Sequence, residues 1–203
     1  MKAKKKKPVS RKKRIKIHPD WRWITLIFGS TIGISAAMSL LSNELLSAGG
    51  MALSFAVLLV IVLIGVVFDV IGVSVTAAEE KPFHSMAAKK RPEAMIALRL
   101  LRNADRVSSF CNDVVGDICG VVSGSAAAVI AAAAITNSGP FLSRLIPLLL
   151  SSLVAAVTVG GKAFGKSIAM QNSVQIVHTA AKIVFWFRTL LRPSERTGSR
   201  QRK

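Results

Sequence analysis

At 203 residues the chain has the length of one ordinary domain, yet it combines 51% hydrophobic residues with a formal net charge of +18. A soluble domain seldom carries both. The two coexist here because they are segregated: Lys and Arg gather at the ends and in one central segment, and the stretches between reach the roughly 20 apolar residues that a spanning helix needs.

Residues 1–22 hold eleven Lys or Arg against the single Asp20 and read as a solvated basic tail. The tail lacks interleaved aromatic residues and any recognition motif, which argues against nucleic acid as its partner and for the bilayer, with anionic lipid at the basic ends. The apolar run from Trp23 to Ser42 exceeds the roughly 7–15 residues of a cleaved signal's core and is expected to be a retained first span. Residues 23–50 therefore form an N-terminal helix and loop. The loop 43–50 contains Gly49-Gly50 and no basic residue.

The second span is expected over Met51–Thr76, with Asp69 near its end. The central segment follows, with Lys81, Lys89, Lys90, Arg91, Arg99, Arg102 and Arg106. Within it the pattern Ala94, Ile96-Ala97, Leu100-Leu101 predicts an amphipathic helix over 92–106, with Pro92 in its first turn. A third span is expected over Ser109–Thr136, a turn at Asn137-Ser138-Gly139-Pro140, and a fourth span over Phe141–Gly160 containing Pro147. The segment 172–193 reads as a juxtamembrane interfacial helix, because His178, Lys182 and Arg188 break its apolar run. A second basic tail covers 194–203. The fold class is thus an all-α integral membrane protein with four transmembrane helices and amphipathic interfacial helices.

Four spans put the three basic regions on one side. The positive-inside rule makes that side the cytoplasm, so both termini of this multi-pass cell-membrane protein are expected there. Trp21, Trp23 and Trp186 lie beside charged segments, where an interfacial aromatic belt would hold them. Cys111 and Cys119 are eight residues apart in one expected helix, about 12 Å at helical rise and too far for a disulfide. The scattered His18, His84 and His178 make no metal-ligand spacing with them. The chain also has no phosphate loop and no nucleophile–base spacing, so no enzymatic activity or cofactor is expected, apart from Mg²⁺ as a bound or transported ion.

Polar residues inside spans need an account. Asp113 and Asp117 are i and i+4 in span three and share a face, with Asn112 and Gly116 adjoining as further oxygen sources. Lys162 and Lys166 lie at a similar depth at the end of span four, and Asp69 at the end of span two. Two readings stay open. One is a cation site or pathway built from oxygen ligands, which suit hard ions such as Mg²⁺. The other is a structural Asp–Lys network between helices. Gly116, Gly120 and Gly124 form a small-xxx-small ridge that permits close helix approach, either within the chain or between two copies.

From span two onward, the order of motifs resembles the transmembrane domain of the cyclin-M/CorC-type magnesium and cobalt transporters. Thr76-Ala77-Ala78-Glu79-Glu80 stands where that family has S-A-x-E-T-A. Leu101-Arg102-Asn103-Ala104-Asp105-Arg106 stands for L-x-N-P-D-R, and Gly116-Asp117 for a G-N pair. Gly161-Lys162-Ala163-Phe164-Gly165-Lys166 stands for G-E-x-x-P-K, and Pro193 closes the last helix. The resemblance covers roughly residues 52–193, within which 51–171 would be the three-span transporter-like domain. It implies a homodimer that moves divalent cation, with Thr76, Gly116 and Asp117 at the ion; the i, i+4 spacing adds Asp113 as a further metal candidate. The departures matter. Lys162 replaces the family's Glu, so an ammonium tethered beside Asp117 could stand in for the ion. The first span is additional, and the cytoplasmic regulatory domains common in the family are absent from the sequence. The competing expectation is a scaffold or regulatory protein that keeps the fold without the ion site.

Overall fold

The computed structural model describes residues 20–135 and 139–190, and every regular element among them is helical. Residues 1–19 of the expected N-terminal tail, the tail 194–203 with the helix-closing Pro193, and the Asn137-Ser138 part of the turn lie outside the described residues, whereas Trp21 and Arg22 of the expected tail already belong to the first helix. The elements are α1 (Trp21–Ala48), α2 (Met51–Ala77), α3 (Lys81–Ala88), α4 (Pro92–Arg102) and α5 (Ala104–Ser109). A π-helical segment (Phe110–Gly116) then leads into α6 (Asp117–Ala134), followed by α7 (Leu142–Gln171) and α8 (Ser173–Leu190). Four stretches are long and apolar enough to cross a membrane: Trp21–Leu46, Met51–Ala77, the continuous Ala104–Ala134 and Leu142–Gln171.

The helix ends differ from the sequence reading in informative ways. Helix α1 runs to Ala48, through the polar Asn43 and Glu44, because the Gly49-Gly50 pair is what ends it. Helix α7 continues to Gln171, past Gly160-Gly161, so Lys162 and Lys166 lie within a helix rather than at its end. The amphipathic helix expected over 92–106 breaks at Asn103, whose side-chain amide donates to the Arg99 carbonyl at 2.9 Å. Its last residues instead begin the third spanning stretch. Between α3 and α4 the chain reverses at Lys90, the one described non-glycine residue with positive φ, at 56°. The Lys90 N–H donates to Ala87 O and the Arg91 N–H to Met86 O, the paired bonds of a Schellman cap.

Helix α2 is the centre of the bundle. It packs against α1, the π-helical segment, α6, α7 and α8, while α1 lies across α6 and the π-helical segment. Its apolar sequence has no polar face, which is how a helix surrounded by neighbours or lipid reads. Three clusters stack along the bundle. At one end Leu58, Val62, Ala126, Ala127, Ile130 and Val154 pack together. In the middle Ile61, Val114, Ile118, Cys119 and Val122 do so. At the basic end Val75, Phe83, Ala97, Leu98, Leu101, Val177 and Ala181 join α2, α3, α4 and α8.

Outside these clusters large apolar side chains are uncovered, among them Leu26, Phe28 and Ile32 of α1 and Leu148, Leu149 and Leu153 of α7. An apolar surface this extensive is foreign to a water-solvated monomer and normal where lipid is the solvent.

Candidate functional site: a polar node at the π-helical segment

The third spanning stretch widens into a π-helix at Phe110–Gly116. Such a one-turn irregularity inside an α-helix frequently marks a functional site. Here it faces the glycines of α2. A Cβ on Gly72 would collide with the Asn112 amide, and one on Gly65 would come within 2.9 Å of Cys119 Cβ. On α7, a Cβ on Gly165 would meet Val70 Cγ2 at 2.6 Å. Gly72 therefore lets the widened turn sit against α2, Gly65 admits the start of α6, and Gly165 lets α7 approach α2.

Polar groups converge where these backbones approach. The Lys162 ammonium donates to the Gly116 carbonyl at 3.4 Å. The position a Gly116 Cβ would take is 3.3 Å from Lys162 Nζ and 4.0 Å from Asp69 Oδ1. Gly116 is buried, and Asp69 and Lys162 are partly buried. One turn away, Asn112 donates its amide to Ser108 Oγ at 3.2 Å, while its buried Oδ1 has no hydrogen-bond partner. An unpaired buried amide oxygen is costly, and it marks a point where a donor or cation would gain most.

The other residues singled out from sequence sit elsewhere. Asp113 and Asp117 are both exposed on the protein surface, and Lys166 is exposed on α7. Asp113 lines an open cleft of about 430 Å³ with Trp23, Ile27, Thr31 and Ser109. Thr76 is exposed and its hydroxyl donates to Val73 O of its own helix at 2.8 Å. Lys162 takes part in none of the described ion pairs, so its partner is the Gly116 carbonyl and not the Asp117 carboxylate. Among the described residues, no three His, Cys, Asp or Glu side chains gather as a metal site. Gly120 and Gly124 have open space where a Cβ would project, so only Gly116 of the small-residue ridge is used within the chain.

Two arrangements escaped the sequence reading. One is a partly buried pair at the basic end, His178 Nε2 to Glu93 Oε1 at 3.8 Å, with Arg91 at 3.9 Å from the same oxygen. The other is a clasp in which Arg106 binds Asp20 at 3.2 Å and lies over the Trp23 ring at 5.1 Å. Neither pairing is local, so no spacing in the sequence signals it. The seven-residue separation of Gly65 and Gly72, by contrast, is a sequence signal for one packed face of α2.

No family model, curated protein or solved structure matches the chain.

Proposed function

We propose that this is a multi-pass membrane protein of the divalent-cation transporter type, with both termini in the cytoplasm and its ion-handling point at the node between α2, the π-helical segment and α7. The convergence of Lys162, Asp69 and the Gly116 carbonyl at a helix irregularity within apolar spans carries this reading. Irregular backbone at membrane depth is tolerated where it is enclosed by protein or lines a pathway, and ionisable groups there mark ion routes. The oxygens of Asp69 and Gly116 are hard donors that Mg²⁺ or Co²⁺ would take together with its own water, with Asn112 one turn further along the route. Asp113, Asp117 and Thr76 are proposed to flank the route and not to close around the ion. Lys162 acts as a resident ammonium, which must leave the Gly116 carbonyl before a dication can approach Asp69. The resemblance in motif order along residues 52–193 supports the same reading, as does the arrangement of basic segments. We further propose a homodimer, with Gly120 and Gly124 on the face left open for a second copy.

The test is flux of Mg²⁺, Co²⁺ and Na⁺ into proteoliposomes, together with ion-dependent thermal stability. Lys162→Glu replaces the resident cation by a second carboxylate beside Asp69 and is expected to enhance divalent-ion stabilisation. Absence of flux, with no ion-dependent shift in either protein, would sink the transport reading.

One observation favours a second reading. Lys162 already donates to the Gly116 carbonyl, so that carbonyl needs no ion to complete it. In that case the chain is a non-transporting scaffold or regulatory membrane protein. Wild type would then show no flux, and Lys162→Met would lower stability without creating any response to ions.

A further inference from the structure

Helix α4 is fixed in rotation by a face that is almost wholly enclosed. Ala94 and Ala97 are 0% exposed, Leu98 6% and Leu101 8%, and Ala97, Leu98 and Leu101 pack with Phe83, Val75 and Val177. The opposite face presents Met95, 62% exposed, with Arg99 and Arg102 one and two turns on, both exposed. Arg106 follows one turn later in α5, held over Trp23 and against Asp20. Among the described residues Arg99 and Arg102 enter no ion pair; the acidic neighbours are Asp105, which is exposed, and Glu93, which is engaged with Arg91 and His178.

We infer that Arg99, Arg102 and Arg106 form a fixed binding stripe for the phosphate of anionic phospholipid in the leaflet at the basic end. Trp23 lies in the first turn of a spanning helix, the level at which an amphipathic ring sits among headgroups. Arg106 shares that level by its contact with the ring. Arg102 and Arg99 follow on α4, just across the break at Asn103 from the helix that carries Arg106. An anionic surface acts on guanidinium groups within a Debye length, roughly 8–10 Å, of the headgroup layer. Guanidinium groups present a planar fork that matches phosphate oxygens, and Met95 offers an apolar contact at the same edge. The stripe is held on packed helices before the lipid arrives, so less backbone freedom is lost on binding. The inference rests on membrane placement and not on cation transport, so a negative flux result leaves it standing.

The experiment uses the full-length protein in mixed micelles titrated with fluorescent phosphatidylglycerol or phosphatidylcholine. Wild type should prefer phosphatidylglycerol, and the preference should weaken with added salt. Each neutralised arginine near an anionic surface should lower affinity about five-fold, so R99Q/R102Q should lose about twenty-five-fold, with unchanged helix content and thermal unfolding. R99K/R102K should recover part of the loss, since it keeps the charge without the fork. A phosphatidylglycerol preference that survives R99Q/R102Q but disappears when the lysines of residues 2–16 are neutralised would assign lipid binding to the tail and overturn the stripe. So would displacement of the lipid by single-stranded RNA at equal ionic strength, which would make the face a nucleic-acid surface.

Discussion

The two halves of the third spanning stretch carry similar small residues and use them differently. In the π-helical half and its junction with α6, Gly116 sits in a polar crowd with Lys162 and Asp69, and the neighbouring Asn112 is pressed against Gly72. In the α6 half, Gly120 and Gly124 of the same ridge face open space, and Val121 between them is 69% exposed. Composition does not separate the halves; position relative to α2 does. A small residue toward α2 or α7 admits a close approach and a polar contact, whereas one pointing away leaves a smooth apolar surface suited to lipid or a second copy.

The difference predicts where substitutions will be felt. The largest effect belongs to the basic end, where α3 and α4 pack onto α2 and α8. Phe83 is fully buried in the cluster that joins α3 and α4 to α2 and α8. Phe83→Ala should lower unfolding stability in mixed micelles by about 3–5 kcal/mol, through lost burial plus a cavity. A loss below about 1 kcal/mol would mean that this end is not a packed core.

The next effect tests the node itself. Gly72→Val places two methyl groups against the Asn112 amide, which cannot move without disturbing its bond to Ser108. Overpacking of this kind costs about 1–3 kcal/mol. The stability loss should be accompanied by greater accessibility of Cys111 to thiol reagents, since Cys111 Cβ would be 3.1 Å from the new Cβ. If Gly72→Val is tolerated without either change, the π-helical segment is not pressed against α2.

Much of this contrast could not be read in the sequence. Length, apolar runs and charge segregation make the four spanning stretches and the basic central segment legible, since these depend on windows of about 20 neighbouring residues. The i, i+4 spacing of Asp113 and Asp117 places them on a common face but carries no information on where that face points. Both proved exposed, while Asp69 and Lys162, from separate helices, are the groups drawn together. The sequence reading paired Lys162 with Asp117; the structure pairs it with the carbonyl one residue earlier. That pairing depends on the π-helical widening of the backbone, which side-chain pattern does not encode. Continuation of α7 beyond Gly160-Gly161 has a similar cause. These glycines read as a helix end, whereas Gly161 meets Val66 Cγ2 at a would-be Cβ distance of 3.1 Å and is a packing residue.

A smaller effect is expected for the lysine. Lys162→Met keeps length and apolar bulk but leaves the Gly116 carbonyl without its ammonium donor. The bond is long, at 3.4 Å, so the loss should sit at the low end for a charged hydrogen bond, about 1–2 kcal/mol. Its value lies in the comparison with Lys166→Met, which removes an exposed ammonium one turn away on the same helix and should change stability by less than about 0.5 kcal/mol. Equal effects for the two lysines would remove the distinction between node and surface on α7.

The smallest effect carries the opposite sign. Nothing lies within 4 Å of a Cβ built on Gly124, so Gly124→Ala introduces no clash inside one chain. Replacing a mid-helix glycine by alanine removes backbone freedom from the unfolded state, and the monomer should gain up to about 1 kcal/mol. The same methyl group would obstruct a second helix approaching along the Gly120–Gly124 face, where close contact needs the absence of side chains. The two quantities therefore separate: unfolding of the monomer in excess detergent reads the first, and the dimer fraction measured by cross-linking at low detergent reads the second. A gain in monomer stability with loss of dimer identifies the open half of the ridge as a contact between copies. A gain with the dimer unchanged identifies it as a surface for lipid alone and moves any homodimer contact to another face.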